Sequence, residues 1–203
     1  MTNKIRNKLN FQFVIKQLLL PFNNINYKTT ILWILLFIPY LLLIPGYLWY
    51  VNVLDSVKNS SFIIISKEDM KLYHYNFSGE LIQNFPIACG KKFGDKELIG
   101  DNKTPEGVFT IAEVSDASDW SHDFDDDTLG VIQNAYGPYF IRLNVPGQKG
   151  IGIHGTYDPI SIGTRASEGC IRMNNSDIAK LVKHINSATV VVITPSQKDI
   201  DNK

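Results

Sequence analysis

Two short stretches in the last third of the chain hold residues that can do chemistry: Gly152-Ile153-His154-Gly155-Thr156 and Ser167-Glu168-Gly169-Cys170-Ile171-Arg172-Met173. A thiol becomes a nucleophile near neutral pH only beside a base or a positive field, and a histidine is the usual provider. Gly169 would let backbone approach a substrate with no side chain in the way. The amides around Cys170 could converge on a developing oxyanion. A plainer reading stands beside this one: a cysteine in an apolar run is often a small buried hydrophobe, and a histidine often a polar surface residue. Spacing alone leaves both open.

Two further stretches narrow the choice. Upstream lies Gly100-Asp101-Asn102-Lys103-Thr104-Pro105-Glu106-Gly107-Val108-Phe109, and Tyr136-Gly137-Pro138-Tyr139 precedes the histidine stretch. Taken in order, these elements resemble the L,D-transpeptidases with the YkuD-type catalytic domain. That family has a Thr-Pro-x-Gly-x-Phe signature, then His-Gly-Thr, then Ser/Thr-His-Gly-Cys followed by an apolar residue and Arg or Asn. The resemblance covers about residues 62 to 193. The sequence departs from the pattern at one position, because the histidine two residues before the cysteine is Glu168 here. A carboxylate near Cys170 would disfavour its thiolate. If it points to solvent or pairs with Arg172, it would leave the thiol alone.

The resemblance implies cell-wall chemistry. Cys170 would attack the carbonyl of the third, diamino-acid residue of a donor peptidoglycan stem and expel the terminal D-alanine. The thioester would then pass to the side-chain amine of a second stem, giving a 3→3 cross-link. His154 would act as base and then acid, with its second ring nitrogen held by a backbone carbonyl that Gly155 could supply. Gly169 and Cys170 would give the oxyanion amides. Ser167, Arg172 and Tyr136 are the expected substrate-binding residues, with a structural ion pair as the other reading of Arg172. No metal or organic cofactor is implied. Two alternatives stay in view: an L,D-carboxypeptidase or stem-trimming hydrolase, in which water resolves the thioester, and a catalytically silent wall-binding module. A papain-like peptidase fits poorly, because its cysteine precedes its histidine.

Other polar residues take simpler readings. Asp116, Asp119, Asp123 and Asp125 to Asp127 surround Trp120 and His122 in a long loop that lacks the spacing of a calcium site. It reads as a solvated lid. His74 and His184 read as ordinary strand or surface residues, and Cys89 as a buried thiol. A Cys89–Cys170 disulfide would consume the proposed nucleophile and is not expected.

The elements that must position these residues are mostly strands. Phe62–Ser66, Lys71–Tyr75, Leu81–Ala88, Val108–Val114, Tyr139–Val145 and Thr189–Thr194 are short runs rich in Ile, Val, Phe and Tyr, bounded by turn signals. Ser176–Asn186 instead spaces Ile178, Leu181, Val182 and Ile185 as a helix does. The expected fold is a mainly β, mixed or antiparallel sheet assembly with one helix after the cysteine, preceded by an N-terminal transmembrane helix.

That last helix comes from Ile31 to Val51, a run without a charge that is long enough to span a bilayer core. Tyr47, Trp49 and Tyr50 sit at its far end, where amphipathic aromatics favour the interface. The run is longer than a signal-peptide core and no Ala-x-Ala pattern follows it, which favours an uncleaved anchor. Lys4, Arg6, Lys8, Lys16 and Lys28 precede it and no acidic residue does. That asymmetry predicts a cytoplasmic N-terminus and an extracytoplasmic body. Five of the 20 basic residues thus lie before Asp55, leaving 15 against all 20 acidic ones and a body charge near −5. Such a body offers no footprint for nucleic acid. The expected partners are peptidoglycan stems and the lipid bilayer of the inner membrane, along which Phe11–Leu20 reads as an interfacial stretch. The domains read as a basic segment to residue 30, the span at 31–51, a linker at 52–61, the catalytic domain at 62–194 and a tail at 195–203.

Overall fold

A computed structural model describes residues 26–58, 60–123 and 130–202. The interfacial stretch at Phe11–Leu20, the basic residues Lys4, Arg6, Lys8 and Lys16, and Asp125 to Asp127 lie outside the described residues. The chain divides into two units between Leu54 and Asp55. Most of the first unit's described part is α1 (Tyr27–Lys58), a single helix of 32 residues that runs through Pro39 and Pro45 and continues past the boundary. It extends past the predicted span at both ends. Within it Thr30–Leu54 has a mean hydropathy of 2.2, with apolar side chains such as Leu35 and Trp49 exposed. By length and composition this helix could cross a membrane, and a signal sequence shares both properties.

The second unit is a sheet closed on itself. Its strands are β1 (Ser61–Ser66), β2 (Lys71–Asn76), β3 (Leu81–Gly90), β4 (Gly107–Asp116), β5 (His122–Asp123), β6 (Val131–Ile132), β7 (Tyr139–Leu143), β8 (Gly152–His154), β9 (Arg165–Ser167), β10 (Ile171–Met173) and β11 (Val190–Thr194). β5 and β6 form a separate ribbon, and the others run in the order β10-β8-β7-β4-β11-β1-β2-β3-β9. A further pairing of β10 with β3 closes the ring. Most pairings are antiparallel, and β1–β11, β3–β9 and β8–β10 are parallel. The inward residues are largely β-branched (Ile63, Ile65, Ile141, Ile153, Ile171 and Ile193), which suits a pleated buried face.

Sequence periodicity finds the long strands and misses the short ones. β8, β9 and β10 have three residues each, too few for alternation to register. β3 runs two residues beyond the predicted Ala88, because its end leaves β2 and pairs with β10 and then β9. The predicted helix is shorter than its periodicity: α2 spans Asn175–Leu181, and Val182 and Ile185 pack on the core from the turns after it. The stretch read as a tail carries α3 (Gln197–Asp201), opened by a Ser196/Asp199 capping box. His74, read as a surface or strand residue, is fully buried on β2. Its Nδ1 meets Gln83 at 3.1 Å, and burial, with His184 opposite, pushes its pKa down.

Candidate active site

β8 and β10 run parallel with Ile171 opposite Ile153 and Arg172 opposite His154. This register sets His154, at the end of β8, near Cys170, in the bend just before β10, and both line one groove of about 470 Å³. The Cys170 thiol donates to the Gly150 carbonyl at 3.3 Å. Burial pushes its pKa up, opposed by the Gly152 amide and by Arg172 and Lys96. His154 is 2% exposed, and burial pushes its pKa down to about 3. At neutral pH the resting pair is therefore a thiol and a neutral imidazole, not an ion pair.

The imidazole is clamped. Its Nδ1 is 2.6 Å from the Gly155 carbonyl oxygen, which takes the ring proton there and leaves Nε2 as the basic nitrogen. Phe140, its cross-strand partner on β7, stacks on the ring at 5.4 Å, and Tyr136 meets it edge-on at 4.8 Å. Gly155 packs against Gly137 and Asn175 so closely that a β-carbon would collide with Asn175 Oδ1. That oxygen accepts the Thr156 N–H at 2.8 Å. The neighbouring Gly137, at φ +65°, needs the left-handed freedom of glycine.

Each residue singled out in the sequence has a definite place. Ser167 lines the groove, but its hydroxyl donates to the Cys170 carbonyl and its oxygen accepts the Gly169 N–H at 3.1 Å. These two bonds build the turn. The Gly169 N–H is one of the two expected oxyanion donors. That N–H is occupied by Ser167, and the Gly169 carbonyl accepts from Thr104 Oγ1 at 2.9 Å. Arg172 is 4% exposed, with its guanidinium over the Tyr157 ring. Tyr136 lines the groove, and burial pushes its pKa up to about 12, with Cys170 and Glu168 adding to the shift. Cys89, near the end of β3, is buried against Met70, and both cysteines are free.

Glu168 follows the first course read from the sequence in part, since it is the last of the causes that raise the Cys170 pKa, and it also has a partner that neither course named. Its carboxylate pairs with His122 Nε2 at 3.1 Å, so the loop around Trp120 and His122 meets the nucleophile turn. His122 lines the groove and stands 5.7 Å from the Tyr136 ring. Asp116, read as part of that loop, instead ends β4 opposite Tyr139 and accepts the N–H and hydroxyl of Ser118. Sequence reasoning also passes over Thr104, which takes the Gly90 N–H at 2.8 Å while donating to Gly169. Its place directly before Pro105 is the available signal. Lys96, on the groove wall, has none.

Comparison with known proteins follows the same outline. Residues 60–193 match the model of the YkuD family, described as the L,D-transpeptidase catalytic domain. The YkuD protein of Bacillus licheniformis, named as an L,D-transpeptidase, is 28% identical over 154 residues, 76% of this chain and 74% of its own. Its Bacillus subtilis namesake is 41% identical over 121 residues, 58% of this chain and 57% of that one. An L,D-transpeptidase structure from Mycobacterium smegmatis shares the fold at a TM-score of 0.50 and 17% identity, covering 66% of this chain and 58% of that one.

Proposed function

The chain belongs to the YkuD family of L,D-transpeptidase catalytic domains, and from that membership we propose that it cross-links peptidoglycan stems through a Cys170 thioester. The observation that carries this reading is the buried, neutral His154, fixed through Nδ1 by Gly155 and sharing a groove with Cys170. His154 Nε2 takes the thiol proton as sulfur attacks the carbonyl of the third stem residue. The tetrahedral intermediate then collapses, the C–N bond breaks, and the imidazolium returns the proton to the departing D-alanine amine. An amine of a second stem attacks the thioester, loses its proton to His154 and regenerates the thiol, leaving a 3→3 cross-link. No carboxylate third member is needed, since the Gly155 carbonyl sets the tautomer.

A placement outside the cytoplasm would agree with this reading. α1 would serve as a single anchor in the inner membrane, with the catalytic domain in the compartment where stems lie. The domain boundaries at 31–51 and 62–194 belong to this proposal, as do the substrate contacts of Arg172 and Tyr136.

Muropeptide analysis of purified sacculi treated with the full chain tests the function. Dimers joined 3→3 are expected. Tripeptide monomers alone would replace transpeptidation with L,D-carboxypeptidase action, and an unchanged muropeptide pattern would leave a wall-binding module.

A further inference from the structure

Lys96 is almost wholly buried, with 4% of its side chain exposed, yet it lines the groove that holds Cys170. Its ammonium stands 2.7 Å from Asp101 Oδ1. The same carboxylate accepts the N–H groups of Glu97, Leu98 and Lys103, so its charge is shared among four donors. Those bonds fold the segment around the cation. An ammonium has three N–H bonds. Asp101 takes one, and the other two meet no protein acceptor among the described residues. Burying a cation is costly unless it is well paired, so a partly satisfied one beside a nucleophile calls for a use.

Three contacts give that use a direction. A β-carbon at Gly169 would lie 3.4 Å from Lys96 Nζ, which places the ammonium close against the peptide that carries the nucleophile, although it is the Lys103 carbonyl, at 2.8 Å, that such a carbon would strike. The Gly169 carbonyl is tied to Thr104. A trans peptide points its N–H opposite its carbonyl, so the Cys170 N–H faces away from Thr104. The Gly169 N–H is already bound to Ser167. Acyl-transfer sites direct more than one donor at the developing oxyanion, and here one of the two expected amides is taken.

We propose that Lys96 is the second oxyanion donor of this site, a catalytic residue that works beside the Cys170 N–H; this rests on the acyl-transfer reading above. When sulfur bonds to the carbonyl carbon, the π pair moves onto oxygen and the thiol proton goes to His154. Lys96 and the Cys170 amide then hold that oxygen. On collapse the pair returns, the C–N bond breaks, and His154 protonates the leaving amine. The same ammonium also favours the thiolate. Among the charged groups around Cys170, Arg172 on β10 and Lys96 act in that direction and Glu168 acts against it, while His154, Tyr136, His122, Lys91 and Lys149 share the groove.

The test compares Lys96→Met and Lys96→Arg with wild type, as full chains in detergent, by two readouts. Acylation of Cys170 by a tetrapeptide stem, followed by intact mass, should slow about 10²–10³-fold in Lys96→Met and partly recover in Lys96→Arg. Iodoacetamide alkylation needs no stem, and the midpoint of its pH profile should move up in Lys96→Met. Asp101 keeps its three backbone donors in that variant, so folding is expected; Lys96→Gln, equally uncharged, takes its place should Lys96→Met not fold. An unmoved alkylation midpoint in the neutral variant overturns the proposal, as does acylation within threefold of wild type. If wild type takes up no stem at all, the transpeptidase reading fails, and the alkylation midpoint still decides whether Lys96 acts on Cys170.

Discussion

At the scale of the residue, the site is organised around an uncharged pair. The imidazole of His154 is kept neutral by burial and keeps one tautomer through Gly155. The pH dependence follows from these two facts. With the His154 pKa near 3 and the Cys170 thiol above its ordinary range, acylation should show no inflection at the usual histidine value. The rate should stay level from about pH 5 to 8 and rise only as the thiol ionises. A step near 6.5 in single-turnover acylation would mean that the histidine is not buried as described. His154→Ala should slow acylation about 10²–10⁴-fold with the protein still folded. The folded-state pKa of His154 lies below its ordinary 6.5, so the unfolded chain binds more protons between those values. Stability should therefore fall as pH drops from 6.5 toward 3, by up to about 1.4 kcal/mol per unit from this group. His154→Gln should lose less over the same range, as measured by denaturant unfolding at each pH. Glu168 faces His122 and is the last contributor to the Cys170 shift. Glu168→Gln should therefore lower the thiol pKa by less than Lys96→Met raises it. His154 and Cys170 are legible from sequence because chemistry demands those residue types. The partner of Glu168 is not, because the two residues are 46 positions apart and meet only through the fold.

At the scale of the element, short strands and one loop carry the geometry. β8 and β10, with three residues each, bring base and nucleophile to one groove, and the closing pair β10–β3 locks these strands into the ring. Thr104 ties the end of β3 to the nucleophile turn through Gly90 and Gly169. Thr104→Val would leave a buried N–H and a buried carbonyl unpaired, costing about 1–3 kcal/mol, and would free the Gly169–Cys170 peptide to rotate. The expected result is a lower melting temperature together with slower acylation. The two effects would separate if the turn were held elsewhere. A second set of ties lies behind the loop. Lys67 reaches Glu106 at 2.7 Å and Asp199 at 3.3 Å, while Arg165 reaches Asp199 at 2.7 Å, all largely buried. Removing one partner from such a cluster strands charge, so Asp199→Ala should destabilise the fold by about 3–5 kcal/mol, measured by urea unfolding. The long strands can be read in the sequence, since alternation over five or more residues signals a half-buried sheet. This cluster cannot: Lys67, Arg165 and Asp199 sit in polar stretches that look solvated until α3 folds back.

At the scale of the whole molecule, the zero net charge divides into a basic head and an acidic body joined by α1. The apolar run is evident in the sequence because it continues for 21 residues, Ile31 to Val51, without a charge. If α1 anchors the chain with the body outside, a periplasmic reporter fused to the C-terminus should be active and a cytoplasmic one silent; the reverse would overturn that topology. Within the body, the ordered stretches from Thr104 to Arg172 carry the family in the sequence, whereas the aromatic wall of Phe140 and Tyr136 around His154 emerges only from strand register. The mechanism stands on one of two free cysteines, and not the other, becoming acylated. Intact mass after incubation with a tetrapeptide stem reads this out without further assumption. An adduct lacking the terminal D-alanine is expected in wild type and in Cys89→Ala, and none in Cys170→Ala. An adduct that persists in Cys170→Ala and vanishes in Cys89→Ala would contradict the mechanism.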